Sequence, residues 1–165
     1  MTVDSADFKR ALARLAGGIV VVTAIDAEGV PAGLTATSVC SVSLSPPLVL
    51  VCLGTGSRTH DAIAASGRYA LNVLGAGQLA LSARFARSEE NKFEGLDWAP
   101  GRHGSPLLAG AIAACECEIE QAVPAGDHTI FIARVIDAVA IEGFETQPLL
   151  WFRGAHRFLS EEEQG

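Results

Sequence analysis

Positive charge is scarce in this sequence: 12 lysines and arginines stand against 19 aspartates and glutamates, a net charge of −7. A partner with a phosphate backbone calls for a basic stripe, so the balance argues against nucleic acid. No apolar run reaches the ~18 residues that span a bilayer, which argues against a membrane partner. The first residues, MTVDSADFKR, carry acids and no apolar core, so no secretory signal is expected and the cytoplasm is the expected compartment. No H-E-x-x-H, C-x-x-C, Ser-His-Asp order, paired-carboxylate motif or nucleophile elbow occurs, and the four histidines are scattered; no metal is expected. Repeats, linkers and low-complexity stretches are also missing. With 165 residues, 49% of them hydrophobic, the chain reads as a single domain, 1–165, with a substantial core. The four cysteines read as buried, reduced thiols, Cys115 and Cys117 sharing one face of a strand.

What is present in unusual amount is short hydroxyl side chains, concentrated in GLTATSVCSVSLSPPLVLVCL, Gly33–Leu53. Thr35, Thr37, Ser38, Ser41, Ser43 and Ser45 precede Pro46-Pro47, and an apolar run, Leu48–Leu53, follows. A strand that only fills a core has little use for them. A strand lying against a flat polar ring does, because small side chains let the ring approach backbone N–H and C=O groups.

The local pattern predicts a first helix through Phe8, Ala11, Leu12 and Leu15, capped by Asp4 or Ser5 and ended by Gly17-Gly18. Ile19–Ala24 reads as a strand entering a hairpin at Asp26–Gly29, and Ser57 caps a helix Arg58–Ser66 that Gly67 closes. Tyr69–Leu74 is a strand, Gln78–Ala86 has helical composition, and Arg87–Ser105 reads as one long loop. Ala114–Glu120 alternates, with its glutamates facing solvent; Pro124–Asp127 is a turn, Thr129–Ala140 a long strand, and a final hairpin surrounds Arg153-Gly154. About seven strands without regular helix alternation disfavour a doubly wound sheet. The expected fold is mostly β with a few helices, an antiparallel barrel.

Three constellations carry candidate chemistry. Gly75-Ala-Gly77-Gln-Leu-Ala80 matches the dinucleotide fingerprint between a strand and a helix, but the next 20 or so residues hold no apolar run for the required second parallel strand, so the glycines read as turn residues. Gly54–Thr59, GTGSRT, closes the apolar strand and opens a helix; it is either a capped helix start or a phosphate cradle built from Ser57, Arg58, Thr59 and free N–H groups. Gly126-Asp127-His128 is either a polar turn or a place where His128 meets a substrate. With no nucleophile or acid–base pair in evidence, the chemistry points to a cofactor.

Taken in order, LAGGIVVVTA, the Gly33–Leu53 segment, Ser57-x-Thr59, YALNVL, NKFEG, GSPLLAGAIAACECEI, GDHTIFIARV and PLLWFRGAHRFL resemble the short-chain flavin reductases, whose fold is an FMN-binding split barrel. These serve as reductase components of two-component flavin-dependent monooxygenases. The resemblance implies a homodimer, FMN or FAD as flavin, NADH or NADPH as hydride donor, and a monooxygenase partner that receives reduced flavin. It implies that Thr35, Ala36, Thr37 and Ser38, with Ser41, line the flavin; that Ser57, Arg58 and Thr59 hold its phosphate; that Phe85 and Lys92 lie near the rest of it; and that Asp127 and His128 meet the nicotinamide nucleotide. The family often has tyrosines where Trp151 and His156 stand, which motivates a second reading, a flavin-binding sensor or carrier without turnover.

Overall fold

The computed structural model describes residues 3–89, 91–140 and 147–159. Among them twelve strands outweigh three helices, so the chain is mostly β. The order is α1 (Ser5–Leu12), β1 (Gly17–Gly18), β2 (Val20–Ile25), β3 (Pro31–Ala36), β4 (Val39–Leu44), β5 (Pro47–Gly54), α2 (Arg58–Ser66), β6 (Arg68–Val73), α3 (Leu79–Phe85), β7 (Trp98–Pro100), β8 (Pro106–Leu108), β9 (Ala113–Ala125), β10 (His128–Ala140), β11 (Leu150–Phe152) and β12 (Ala155–Arg157).

Seven strands form one sheet in the order β3-β2-β6-β9-β10-β5-β4, and each pairing is antiparallel. The consecutive strands β3 and β4 therefore sit at opposite edges, yet only Thr37 and Ser38 join them. That link spans three Cα–Cα steps, no more than ~11 Å, so the sheet curls and brings the end of β3 near the start of β4 at this corner. Hydrogen bonds hold the corner to β5: Cys52 N–H donates to Ser38 O at 3.1 Å and Ser38 Oγ donates to Cys52 O at 2.7 Å.

The run Ile19–Ala24 explains the core. It is β-branched and buried throughout, and its period-2 alternation feeds two clusters. Val20, Val22 and Ala24 pack with Tyr69, Phe131 and with Ala62 and Ile63 of α2. Ile19 and Val21 pack with Leu74, Phe85, Leu108 and Leu149. Each fully buried side chain of this size contributes about 1.5–3 kcal/mol. On the second face, the buried Asn72 amide donates to Val21 O, Thr23 Oγ1 and Pro106 O, while its carbonyl accepts from Leu108 N–H at 2.8 Å. That network ties β8 onto β2 and β6.

Helix α2 begins and ends where its caps demand. Ser57 Oγ accepts from His60 N–H at 3.1 Å, and Gly67 closes it at φ 70°, a left-handed conformation that glycine adopts without penalty. Asp4 caps α1 in the same manner.

Several expectations are corrected. The first helix stops at Leu12, and Gly17-Gly18 pairs as a short strand with β11. Arg87–Ser105 is not one loop: β7 lies inside it and pairs with β8. Three-residue strands leave no periodic signal to read. The strand β9 runs on to Ala125, so the hairpin turn is shorter than Pro124–Asp127. The cysteines are all free but not all buried: Cys117 is, with its thiol pushed up to about 12 by burial, whereas Cys40 is exposed. Glu116 departs furthest, being 2% exposed where alternation predicts solvent. Its carboxylate accepts from His103 N–H and Ser105 N–H, because the 101–105 segment folds over it.

Candidate functional site: a cleft at the sheet corner

A cleft of about 1110 Å³ opens beside the Thr37-Ser38 corner. Its walls come from β3, the β5–α2 turn, the end of α3 with the residues that follow, and His128 at the start of β10. Thr35, Ala36, Thr37, Ser38, Ser57, Arg58, Thr59, Phe85, Lys92 and His128 all line it. Ser41 is not among the lining residues; it sits exposed on β4, past the corner. Asp127 is also outside the lining but touches His128.

The two loops that the sequence separates by some seventy residues form one wall. In the β5–β10 pairing His128 stands opposite Gly54. Thr55 N–H donates to Asp127 O at 3.0 Å and Thr55 Oγ1 to the same oxygen at 3.2 Å. Gly54 offers no side chain, so the imidazole leans over it: a Cβ placed there would lie 3.8 Å from His128 Nε2. Asp127 lies 2.7 Å from His128 Nδ1, and that hydrogen bond holds its carboxyl below the usual carboxylate range. An ionised carboxylate only accepts, so Nδ1 carries the proton toward Asp127, and His128 lines the cleft with Nε2 beside Gly54.

At the start of α2, Arg58 and Thr59 present backbone N–H groups that have no acceptor within the helix, at the positive end of its dipole. The Arg58 side chain reaches back to the β2–β3 hairpin: Nε and Nη2 donate to Asp26 Oδ2 at 3.2 and 2.6 Å. Asp26 Oδ1 in turn accepts from Glu28 and Val30 N–H groups at 3.1 and 2.8 Å. Arg58 and these backbone donors hold the Asp26 carboxyl below the usual range.

The opposite wall depends on a close approach. A Cβ on Gly33 would lie 2.7 Å from the Phe85 ring and 3.2 Å from Val22 O. Phe85 is itself locked, 1% exposed and edge-on to Phe93 at 5.1 Å. Lys92 Nζ donates to Gly33 O at 3.0 Å and Phe85 O at 3.2 Å, with its pKa lowered by burial. This places an ammonium group at the cleft margin.

The hydroxyls behave differently from the expectation. Thr35 Oγ1 donates to Ser82 O at 2.7 Å, and Ser38 donates to Cys52 O. Their protons are committed to the protein, so what they offer a ligand is small size and remaining lone pairs. The sequence also misses Asp26, Ser82 and Thr55, whose partners lie 32, 47 and 72 residues away and leave no local mark.

The Gly75-Ala-Gly77 motif lies outside this cleft. Gly75 N–H donates to Gln78 Oε1 at 3.1 Å in a turn before α3, and no parallel pairing follows, which excludes the dinucleotide-binding unit among the described residues. Among those residues no cluster of three His, Cys, Asp or Glu side chains could hold a metal ion, and no helix is long and apolar enough to cross a membrane.

This geometry has known counterparts. The chain belongs to the flavin reductase like domain family, whose profile matches residues 12–160. It is 42% identical over 153 residues to a probable flavin reductase of Rhizobium meliloti, covering 93% of this chain and 48% of that one, so it spans about half of that relative's length. It is 36% identical over 161 residues to the reductase subunit HsaB of a flavin-dependent monooxygenase of Mycobacterium tuberculosis, covering 98% of this chain and 86% of HsaB. Among solved structures, the NADH:FAD oxidoreductase SgcE6 of Streptomyces globisporus, in complex with NAD and FAD fragments, superposes with a TM-score of 0.88 at 37% identity, over 98% of each chain.

Proposed function

We propose that this chain is an NAD(P)H-dependent flavin reductase that passes hydride from NADH or NADPH to FMN or FAD and supplies reduced flavin to a separate monooxygenase component. The observation that carries the reading is the cleft. One wall of small side chains, an anion-binding helix start and a histidine with a free Nε2 meet there, in a chain of this family. The volume exceeds the ~300–1,000 Å³ of common ligand sites, consistent with room for a flavin and part of a nicotinamide.

The flavin, when bound, supplies the redox chemistry. The chain's residues bind and orient. Ser57, Arg58 and the first N–H groups of α2 hold the phosphate. Thr35 to Ser38 keep their wall shallow, so the ring lies against backbone. Lys92 supplies positive charge near the cleft margin, and Phe85 forms its apolar floor. Asp127 fixes the His128 tautomer, and Nε2 accepts from the nicotinamide carboxamide. Ser41, expected to join this set, is left out because it lies beyond the corner.

The same reading includes a single domain that is a split barrel, open at the Thr37-Ser38 corner, and a homodimer in the cytoplasm, where NAD(P)H is available. Support for the dimer comes from α1, which buries no side chain while leaving Phe8 54% and Leu12 48% exposed. A second copy would cover that face.

The test is the initial rate of anaerobic flavin bleaching for the four pairings of FMN or FAD with NADH or NADPH. At least one pairing is expected to turn over. Stoichiometric flavin that survives dialysis and stays oxidised with both nicotinamides would instead mark a binding protein without turnover. A second measurement addresses His128. His128→Ala is expected to raise the KM for the nicotinamide about fivefold, the worth of one hydrogen bond, with little change in the KM for flavin. The reverse pattern removes His128 from this role.

A further inference from the structure

We infer that Asp26 is a positioning residue for the phosphate end of the cleft: it pins the Arg58 guanidinium so that its free edge serves a flavin phosphate. The inference rests on the flavin-binding reading above. Asp26 lies on the β2–β3 hairpin, outside every segment that suggested function in the sequence. Its carboxylate is anchored on both oxygens. Oδ1 is fixed by the Glu28 and Val30 N–H groups of its own turn. Oδ2 takes the Nε–Nη2 side of Arg58. The Asp26 side chain is only 12% exposed, whereas that of Arg58 is 47% exposed and lines the cleft. The anchor is rigid and the anchored group faces outward.

This matters because a free arginine side chain has many rotamers, and ordering it opposes binding. Holding one edge of the planar guanidinium removes that cost beforehand, and the Nη1 edge stays available for a phosphate oxygen. The alternative, in which Asp26 competes with the phosphate for Arg58, predicts the opposite sign.

The experiment measures dissociation constants for FMN and riboflavin by flavin fluorescence quenching, without nicotinamide. Asp26→Asn keeps an Oδ1 acceptor for the hairpin and removes the negative charge that pairs with Arg58. It is expected to weaken FMN about fivefold, as befits a partly exposed ion pair, and to leave riboflavin unchanged. In an Arg58→Ala background, which itself weakens FMN at least as much, Asp26→Asn is expected to add nothing; such a cycle isolates the coupling from any general loosening of the hairpin. Unchanged or tighter FMN binding in Asp26→Asn overturns the inference. So do equal losses for FMN and riboflavin, additive losses in the double variant, or a wild type that binds both flavins equally. A wild type that binds neither flavin overturns the flavin reading itself.

Discussion

Glu116→Ala is expected to lower the free energy of unfolding by about 3 kcal/mol, enough to drop Tm by roughly 6–12 °C in a chain of this size. The carboxylate is 2% exposed and accepts from His103 N–H on both oxygens, at 3.1 and 3.0 Å, and from Ser105 N–H at 3.1 Å. Truncation leaves the buried Ser105 N–H and the half-buried His103 N–H without this partner. It also frees the turn that leads into β8, whose Pro106 and Leu108 backbone groups bond to Asn72. Gly101→Ala should act through the same carboxylate, because its methyl would fall 2.5 Å from Glu116 Cδ and Oε2. Denaturant unfolding of both variants checks the assignment. A loss below about 0.5 kcal/mol, the range of ordinary surface substitutions, would mean that the 101–105 segment is not held in this way.

Gly33→Val is expected to cost both stability and ligand affinity: about 1–3 kcal/mol from overpacking, and at least tenfold in flavin dissociation constant. The added Cβ would meet Phe85 at 2.7 Å, and the ring cannot yield easily, since Phe93 and the second core cluster enclose it. Relief requires β3 and α3 to part, which breaks the Lys92 bridge between Gly33 O and Phe85 O. Titration with FMN and FAD alongside thermal unfolding reads both effects. Wild-type flavin affinity in a folded Gly33→Val protein would show that the β3 wall does not form the binding surface.

What the sequence made legible was local. The caps Ser57 and Gly67 bound α2 at the residues expected, because capping is decided within four residues. Ile19–Ala24 announced a buried strand through its β-branched run, and part of the hydroxyl-rich segment, Thr35 to Ser38, lines the cleft. What escaped was set by distance or by covering. Alternation placed Glu116 in solvent because nothing in β9 reveals that residues 101–105 fold over it. The pairing of Arg58 with Asp26 escaped because the two lie 32 positions apart. The hydroxyl segment looked continuous, but the corner divides it, which strands Ser41 on the far side. Each of these depends on topology that no window of the sequence contains.

The corner has a kinetic consequence as well. Two of the cleft's walls, β3 and the β5–α2 turn, lie close in sequence, yet β3 and β5 stand far apart in the strand order and become walls of one cleft only after the four strands between them have paired. One of those strands, β10, begins at His128, which itself completes the cleft. Pairings this distant in sequence are slow to form. A nascent chain leaving the ribosome with β3, β4, β5 and α2 already made would still lack the pocket. Cofactor capture therefore belongs after synthesis of β10, late in the folding of the chain.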